Sequence, residues 1–282
     1  MSRHPLRRAA ALLAALLVCF AAPVRAEAPT VFVPSFWDPQ KRPEKPDLGG
    51  LHSIRFLTEE DYPPFHFTMP DGSLAGFDID LARAVCEELK VTCTIQQRRF
   101  DLLADALNGD EGDALMASLR IDAANRGKFD FTTPYYTTPA RFVARANAKL
   151  DATPEGLAGK RVGVMAKSAH EAYLAAFFPA VQRVPYEARA AMREGLEKGE
   201  IDAFFDDGIT SELWLVAKDG QNCCAFLGGP FTESRFFGEG VGIAVKKGNN
   251  SLRRALDYAL AMLAKNGTHT DLYLKYFPLG FY

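Results

Sequence analysis

Residues 103–118 read LADALNGDEGDALMAS and residues 192–207 read MREGLEKGEIDAFFDD, and these two stretches share one order of elements. In both, a helical pattern ends near a glycine and a short hydrophobic strand follows. Helices that alternate with strands favour a mostly parallel sheet, because parallel neighbours need a crossover connection. The sequence therefore predicts two α/β lobes, one around each stretch.

The segments on either side continue this alternation of strands and helices. Residues 78–90 place their apolar side chains along one helical face, and Asp71-Gly72 predicts the turn of a hairpin. Further helices are predicted over 100–108, 169–178, 188–198, from about 211, and over 252–265. Further strands are predicted over 54–57, 92–97, 113–118, 161–165, 201–205 and 241–245. The last strand and the last helix are expected to return to the first lobe.

The composition is that of an ordinary globular protein. Of the 282 residues, 48% are apolar and 24% are charged, which supplies a packed core and excludes a disordered or collagen-like chain. The 33 Lys and Arg residues nearly balance the 35 Asp and Glu residues. The charge therefore gives no general attraction to nucleic acid, and no nucleic-acid partner is expected.

The first 26 residues have the pattern of a secretory signal peptide. Three arginines precede an uncharged apolar run over 9–22, and small residues precede a cleavage site after Ala26. The apolar run is shorter than the ~20 residues that a membrane-spanning helix needs, and no later stretch reaches that length. We therefore expect an exported protein that resides in the periplasm.

The segment that follows the predicted cleavage site, residues 27–52, is rich in proline and charge. Such a composition favours an irregular arm rather than a helix or a strand. Phe32, Phe36 and Trp37 are expected to hold part of this arm against the body of the protein.

Four cysteines remain after the signal peptide is removed, and an exported protein meets oxidising conditions. Cys86 and Cys93 lie between the end of a predicted helix and the start of a strand, within reach of a disulfide. Cys223 and Cys224 are adjacent and form either a ring disulfide or two separate thiols. Neither pair has the CxxC spacing of a zinc site, so no metal is expected.

Several short motifs follow one another over residues 54–278. They are DYPPF at 61–65, GFDIDL at 76–81, DALMASL at 113–119, FDFTTPYY at 129–136 and GKRVGV at 159–164. Their order and spacing resemble the extracytoplasmic solute-binding proteins of polar-amino-acid ABC importers, including the lysine/arginine/ornithine- and histidine-binding members. In members of this kind, the positions of Cys86 and Cys93 carry a disulfide.

The resemblance implies a periplasmic-binding-protein-like α/β fold. Two lobes with mostly parallel sheets, joined by two hinge strands, would close on a ligand in the cleft between them. The first lobe is expected over 53–138 and 241–282, and the second over 141–236. The hinges are expected near 138–140 and 238–240.

The resemblance also assigns residues to the charged groups of a free amino acid. Arg126 stands where the family's arginine binds the ligand carboxylate, a role that suits a planar guanidinium. Ser118 is placed to present its N–H or hydroxyl to the same carboxylate; alternatively it caps a turn. Asp207 stands where the family binds the ligand ammonium, with the neighbouring Asp206 as its rival.

Four more residues are assigned to the rest of the ligand site. Tyr62 and Phe100 correspond to aromatic walls around the ligand side chain, with core packing as the alternative, above all for Phe100. Glu59 corresponds to the acid that meets the distal polar group of the ligand. Ser168 lies in Lys167-Ser168-Ala169, which replaces the Gly-Thr-Thr frequent in the family, and still offers a donor at a helix N-terminus.

Arg120 is the most informative departure from the family, because a small Ser or Thr is common there in basic-amino-acid binders. Its guanidinium either binds a second anionic group of the ligand near Arg126 or points to solvent. Glu59 therefore favours a cationic ligand, whereas Arg120 favours an acidic or larger one.

These expectations combine in one predicted function. A monomeric periplasmic protein binds a polar amino acid or close analogue, without a cofactor and without catalysis, and delivers it to an ABC permease in the inner membrane. One alternative is an exported enzyme on the same fold, such as a cyclohexadienyl dehydratase acting on prephenate or arogenate, with Glu59 or Asp207 as its acid. Another alternative is an accessory protein whose cleft has lost its ligand.

Overall fold

The computed structural model describes residues 33–34, 36–37, 44–59, 61–217, 220 and 222–282. The predicted signal peptide with its cleavage site after Ala26 lies outside the described residues, as do Phe32 and other parts of the predicted arm. Phe36 and Trp37 do pack against the body, as predicted. Their rings lie 6.2 Å from the ring of Tyr282 and 5.2 Å from the ring of His269, respectively.

The strands within the described residues form two five-stranded sheets and one hairpin. They are β1 (Ser53–Thr58), β2 (Phe67–Thr68), β3 (Leu74–Ala75), β4 (Thr92–Gln97), β5 (Ala114–Leu115), β6 (Phe129–Phe131), β7 (Ala140–Arg145), β8 (Arg161–Met165), β9 (Gln182–Tyr186), β10 (Ala203–Asp207), β11 (Cys224–Phe231) and β12 (Ala244–Lys246). The first sheet has the order β4-β1-β5-β12-β6 and the second the order β11-β7-β10-β8-β9. The predicted hairpin at Asp71-Gly72 is confirmed by the antiparallel pair β2–β3.

Both sheets are mixed, so the prediction of mostly parallel sheets is wrong in part. Strand β1 is parallel to β4 and β5, and β8 is parallel to β9 and β10. The remaining pairs are antiparallel. In the first sheet β12 is antiparallel to both β5 and β6, and in the second sheet β7 is antiparallel to both β10 and β11. The antiparallel strands β7 and β12 are those by which the chain enters one sheet from the other: the described residues between β6 and β7 form no helix, and only the four-residue α7 lies between β11 and β12.

Helices cover both faces of each sheet. They are α1 (Phe77–Leu89), α2 (Leu103–Asn108), α3 (Ala123–Lys128), α4 (Ala169–Phe177), α5 (Arg189–Lys198), α6 (Gly208–Val216), α7 (Ser234–Phe237), α8 (Asn250–Lys265) and α9 (Thr268–Tyr276). Phe56 packs toward α1 and α8, whereas the next residue, Leu57, packs toward α2. Phe205 and Phe204 face α4 and α5 in the same alternating way. Among the described residues, no helix combines the length and the apolar character needed to cross a bilayer.

Several element bounds differ from the prediction. The segment predicted as a helix over 100–108 begins with a 3-10 turn over Phe100–Leu102, and α2 follows it. The strand predicted over 113–118 pairs regularly only at Ala114–Leu115. Beyond that point Ser118 adopts a φ of 50°, which ends the extended conformation.

Two segments connect the sheets, between β6 and β7 and between β11 and β12. They pair with each other, because the amide of Val241 donates to the carbonyl of Tyr136 at 2.9 Å. Gly240 has a φ of +112°, and a Cβ there would lie 2.8 Å from the carbonyl oxygen of Tyr136, so this close pairing requires glycine. The predicted hinges near 138–140 and 238–240 fall within these segments, and the lobe boundaries stay predictions.

Both cysteine pairs are disulfides. Cys86 in α1 is bonded to Cys93 in β4, which confirms the predicted bond between helix and strand. Cys223 and Cys224, whose state the sequence left open, are bonded to each other at the start of β11.

Candidate ligand-binding cleft

Most of the candidate site residues lie at, or shortly after, the carboxyl ends of strands in the two sheets. In the first sheet Glu59 follows β1, Phe100 follows β4 and Ser118 follows β5. In the second sheet Ser168 follows β8, and Asp207 ends β10. Within each sheet these strands are parallel, so their carboxyl ends lie at one edge, where ligands of open α/β sheets bind.

Tyr62 interacts electrostatically with charged side chains of both lobes. Burial of its hydroxyl raises the pKa of Tyr62, and the negative charges of Asp207, Asp78 and Glu59 raise it further. The positive charge of Arg120 opposes this rise. Asp207 ends β10 of the second sheet, whereas Glu59 follows β1 of the first, so Tyr62 is within electrostatic range of side chains from both sheets.

The pKa of His170, in the first turn of α4, is also affected by charged side chains of both lobes. Burial lowers the pKa of His170, Asp206 and Asp207 oppose this decrease, and Arg189 and Arg120 add to it. Neither His170 nor Arg189 is among the site residues predicted from the sequence. The signal that could have found them is their position just after the ends of β8 and β9.

The structure separates the two candidate aspartates. Asp206 is 1% exposed and binds Arg189, whose Nε donates to its Oδ2 at 2.6 Å. The Oδ1 atom of Asp207 accepts the amide N–H of Thr210 at 2.7 Å and so caps α6. Burial raises the pKa of the Asp207 carboxyl group. Since Arg189 already neutralises Asp206, the geometry favours Asp207 over Asp206 as the anion available to a ligand.

The two candidate arginines also differ in their partners. Arg126, in α3, forms an ion pair with Glu239 in the second connecting segment. Arg120 lies against Gly238 in the same segment. Within the described part of the chain, the Arg120 guanidinium forms no ion pair, and its charge reaches both Tyr62 and His170. Glu239 occupies the Nε and one terminal nitrogen of Arg126, and binding of the ligand carboxylate by the remaining donors stays a prediction.

Both serines are engaged in contacts within the protein. The N–H of Ser118 and its hydroxyl donate to Oδ2 of Asp78, at 3.0 and 2.9 Å. The hydroxyl of Ser168 accepts the amide N–H of Glu171 and donates to the carbonyl of Met165. Ser168 therefore caps α4. Contact of either serine with a ligand stays a prediction.

The aromatic candidates are exposed rather than buried in the core. Phe100 is 55% exposed and Tyr62 is 47% exposed, which excludes core packing for both side chains. Tyr62 stacks on Phe65 with a centroid distance of 5.2 Å, so one face of its ring is supported. Glu59 lies beside the ring of His66, with 3.4 Å between its Oε2 and Nε2 of His66. This arrangement offers apolar faces and an acid to a ligand side chain.

Two mixed α/β sheets, two connecting segments and charged side chains at the facing strand ends define a two-lobed binding protein. The chain belongs to the bacterial extracellular solute-binding proteins, family 3, whose model matches residues 54–279. This membership agrees with the resemblance inferred from the sequence motifs.

Individual relatives agree with this membership. The L-arginine-binding protein of Pseudomonas aeruginosa is 38% identical over 239 residues, which cover 84% of this chain and 92% of that protein. The histidine-binding periplasmic protein of Escherichia coli K12 is 32% identical over 232 residues, which cover 82% and 89%. The unliganded, open L-cystine solute receptor of Neisseria gonorrhoeae gives a TM-score of 0.71 at 23% identity, covering 82% of this chain and 94% of the receptor. This last similarity concerns the fold and confirms the predicted two-lobed architecture.

Proposed function

We propose that this protein binds a polar amino acid or a close analogue in the periplasm and delivers it to the permease of an ABC importer in the inner membrane. One observation carries the proposal: acidic side chains stand at the carboxyl ends of parallel strands in both sheets, Glu59 after β1 and Asp207 at the end of β10, and Asp207 and the basic Arg120 both act on Tyr62. A free amino acid carries a carboxylate and an ammonium group, which complement Arg120 and Asp207. The names of the relatives, an arginine-binding and a histidine-binding protein, support this class of ligand.

In this proposal the ligand drives closure of the two lobes. Arg120 lies beside the first sheet and Asp207 in the second, so a molecule with both charges binds the closed form with more contacts than the open form. A ligand shifts a conformational equilibrium only by such a difference in affinity. Tyr62 and Phe100 hold the ligand side chain, and Glu59 meets its distal polar group.

We further propose that the protein is a monomeric receptor without a cofactor, without a nucleic-acid partner and without catalysis, and that it is exported by cleavage after Ala26. Membership of a family of solute-binding proteins supports the receptor role. A thermal-shift screen against the free amino acids is the first test. A ligand present at 100 times its Kd should stabilise the native protein by about 2.7 kcal/mol. Absence of a shift with every amino acid, or turnover of prephenate or arogenate, would contradict the proposal.

Replacing Asp207 with asparagine should lower the affinity for the ligand found in that screen by ~10- to 100-fold. The substitution removes the charge that pairs with the ligand ammonium, but it keeps an oxygen that accepts the N–H of Thr210. A hydrogen bond to a charged group is worth about 1.5–3 kcal/mol, which corresponds to this loss. Isothermal titration calorimetry measures it.

Asp202→Asn is the matched control for this variant. Asp202 precedes the same strand, β10, but pairs with Arg161 away from the candidate site. We expect its affinity to equal that of the unchanged protein. Unchanged affinity in Asp207→Asn, or an equal loss in the control, would show that Asp207 does not bind the ligand.

Arg120→Ala should weaken ligand binding by ~10-fold or more, and by more than Arg126→Ala does. Arg120 offers a guanidinium without an ion-pair partner among the described residues, whereas Arg126 is paired with Glu239. The ligand carboxylate therefore gains a charge-assisted bond at Arg120 without breaking an existing ion pair. The affinities of the two variants, measured side by side, decide between them. A larger loss in Arg126→Ala would return the carboxylate site to Arg126, as the family resemblance implies.

A further inference from the structure

A buried histidine connects a candidate ligand residue to the interior of the first lobe. The ring of His66 is fully buried, with Nδ1 3.1 Å from Oδ2 of Asp78 and Nε2 3.4 Å from Oε2 of Glu59. Asp78 is also fully buried, whereas the Glu59 side chain is 30% exposed. The three groups thus form a row that runs from the core to the cleft.

The backbone holds this row in place. The amide of Asp78 donates to the carbonyl of Phe65 at 2.8 Å, directly beside His66. Gly76, just before α1, has a φ of +124°, and a Cβ there would lie 2.3 Å from the carbonyl oxygen of Phe65. The segment around His66 and the start of α1 therefore meet at a distance that glycine alone permits.

The hydrogen bonds around Asp78 determine where the protons lie. The N–H and the hydroxyl of Ser118 donate to its Oδ2, and the hydroxyl of Tyr135 lies 3.0 Å from its Oδ1. A carboxyl group surrounded by donors is an ionised acceptor. Nδ1 of His66 therefore carries a hydrogen and donates it to Asp78.

The contact between His66 and Glu59 then needs a second proton. A neutral imidazole has one N–H, and Asp78 already receives it. Nε2 of His66 and Oε2 of Glu59 form a hydrogen bond only if one of them is protonated, and otherwise two lone pairs face each other. With this proton the pair of side chains is neutral in total, and without it the pair carries one negative charge.

We propose that binding of a ligand with a cationic distal group expels this proton from the His66–Glu59 pair, which makes His66 a positioning residue for ligand selection. The inference rests on the proposed function, because it takes Glu59 as the partner of the distal group. A guanidinium or ammonium group at Glu59 replaces the positive charge of the proton, which leaves to the solvent. A ligand with a neutral distal group binds without this exchange.

The surroundings of the ring allow the exchange. The ring of Tyr62 lies 5.6 Å from that of His66, on the cleft side. The titratable and charged groups around the ring include some that contact it directly and some that interact with it through Asp78 or Tyr62. They are Glu59, Tyr62, Asp78, Arg120, Tyr135, Tyr136, Arg189 and Asp207. Glu59 connects the buried ring to the open side, so the proton can leave through its exposed oxygen. Release of one proton makes the affinity for the cationic ligand rise with pH, by up to about tenfold per pH unit over the range in which the free protein still holds the proton.

The test is calorimetry with L-arginine and with L-citrulline, its neutral isostere, in phosphate and in Tris buffer at the same pH. A proton released on binding is taken up by the buffer, so the observed enthalpy differs between the two buffers. We expect release of up to one proton with arginine and none with citrulline. His66→Gln, which keeps a donor toward Glu59 but cannot exchange a proton, should abolish the difference between the buffers.

Glu59→Gln provides a second variant at a partly exposed position, in case His66→Gln does not fold. It should bind arginine more weakly and likewise without proton release. Arginine binding without proton release in the unchanged protein, or equal release in either variant, overturns the inference and leaves the proposed function standing. The same conclusion holds if the unchanged protein binds other amino acids but does not bind arginine. Binding of no amino acid at all overturns the proposed function together with this inference.

Discussion

Asp78→Ala should lower the free energy of unfolding by about 3–5 kcal/mol, because it removes one buried acceptor that serves several buried donors. The carboxylate is fully buried and accepts hydrogen bonds from Ser118, His66 and Tyr135. Alanine leaves these donors buried without a partner, and each unpaired donor costs about 1–3 kcal/mol. Urea denaturation followed by circular dichroism measures the change.

Asp105→Ala is the control for this substitution. Asp105 lies at an exposed position in α2 of the same lobe, so its replacement should change the free energy of unfolding by at most about 0.5 kcal/mol. A loss below 1 kcal/mol for Asp78→Ala would mean that water satisfies the freed donors. The row from Asp78 to Glu59 would then be less rigid than its hydrogen bonds indicate.

Glu212 should make the protein less stable as the pH rises from about 4.5 to 7, by up to about 3 kcal/mol. Its side chain is fully buried in α6, and burial raises its pKa to about 7. Oε1 accepts the N–H of Leu279 at 3.0 Å, and Oε2 has no hydrogen-bond partner among the described residues. The native state therefore holds a proton that the unfolded chain releases near its ordinary pKa, and each pKa unit is worth 1.36 kcal/mol.

The sign of this effect follows from proton binding. Between about pH 4.5 and 7 the native state binds more protons at Glu212 than the unfolded state, so stability falls as the pH rises. Glu212→Gln is neutral throughout and should not show this part of the pH dependence, whereas the exposed Glu155→Gln should keep it. Urea denaturation at several pH values compares the variants. The same pH profile for Glu212→Gln and the unchanged protein would disprove the prediction.

Glu212 also helps to attach the C-terminal residues near the hinge. It binds the amide of Leu279, while the hydroxyl of Tyr282 donates to the carbonyl of Thr137 and accepts the N–H of the same residue. Thr137 lies in the first connecting segment, beside the predicted hinge. The C-terminal residues therefore join the first lobe to α6 of the second.

Local patterns in the sequence were sufficient for the fold class and for two local features of the first lobe. The hairpin at Asp71-Gly72 depends on a turn of few residues, and the Cys86–Cys93 bond spans one helix end and one strand start. Both features could be predicted because each one depends on residues that are close together in the chain. The roles of Glu59, Tyr62 and Asp207 follow instead from the family resemblance and stay predictions.

Side-chain partners were not predictable in the same way. Arg126 and Glu239 are separated by 113 residues in the chain, and Ser118 and Asp78 by 40. Arg189 neutralises Asp206, and His170 lies near the charges of both lobes. Each of these contacts exists only after two distant segments have been brought together, so no local pattern reports it.

The sequence by itself determined that this protein has two α/β lobes, a disulfide between Cys86 and Cys93, and membership of a family of solute-binding proteins. The tertiary structure alone decided that strands return antiparallel into both sheets and that Arg120 rather than Arg126 is without an ion-pair partner among the described residues. The physical reason is the range of the interactions. Hydrophobic periodicity and turn chemistry act over a few residues, whereas the charge state of a cleft depends on which distant side chains neutralise one another in the folded chain.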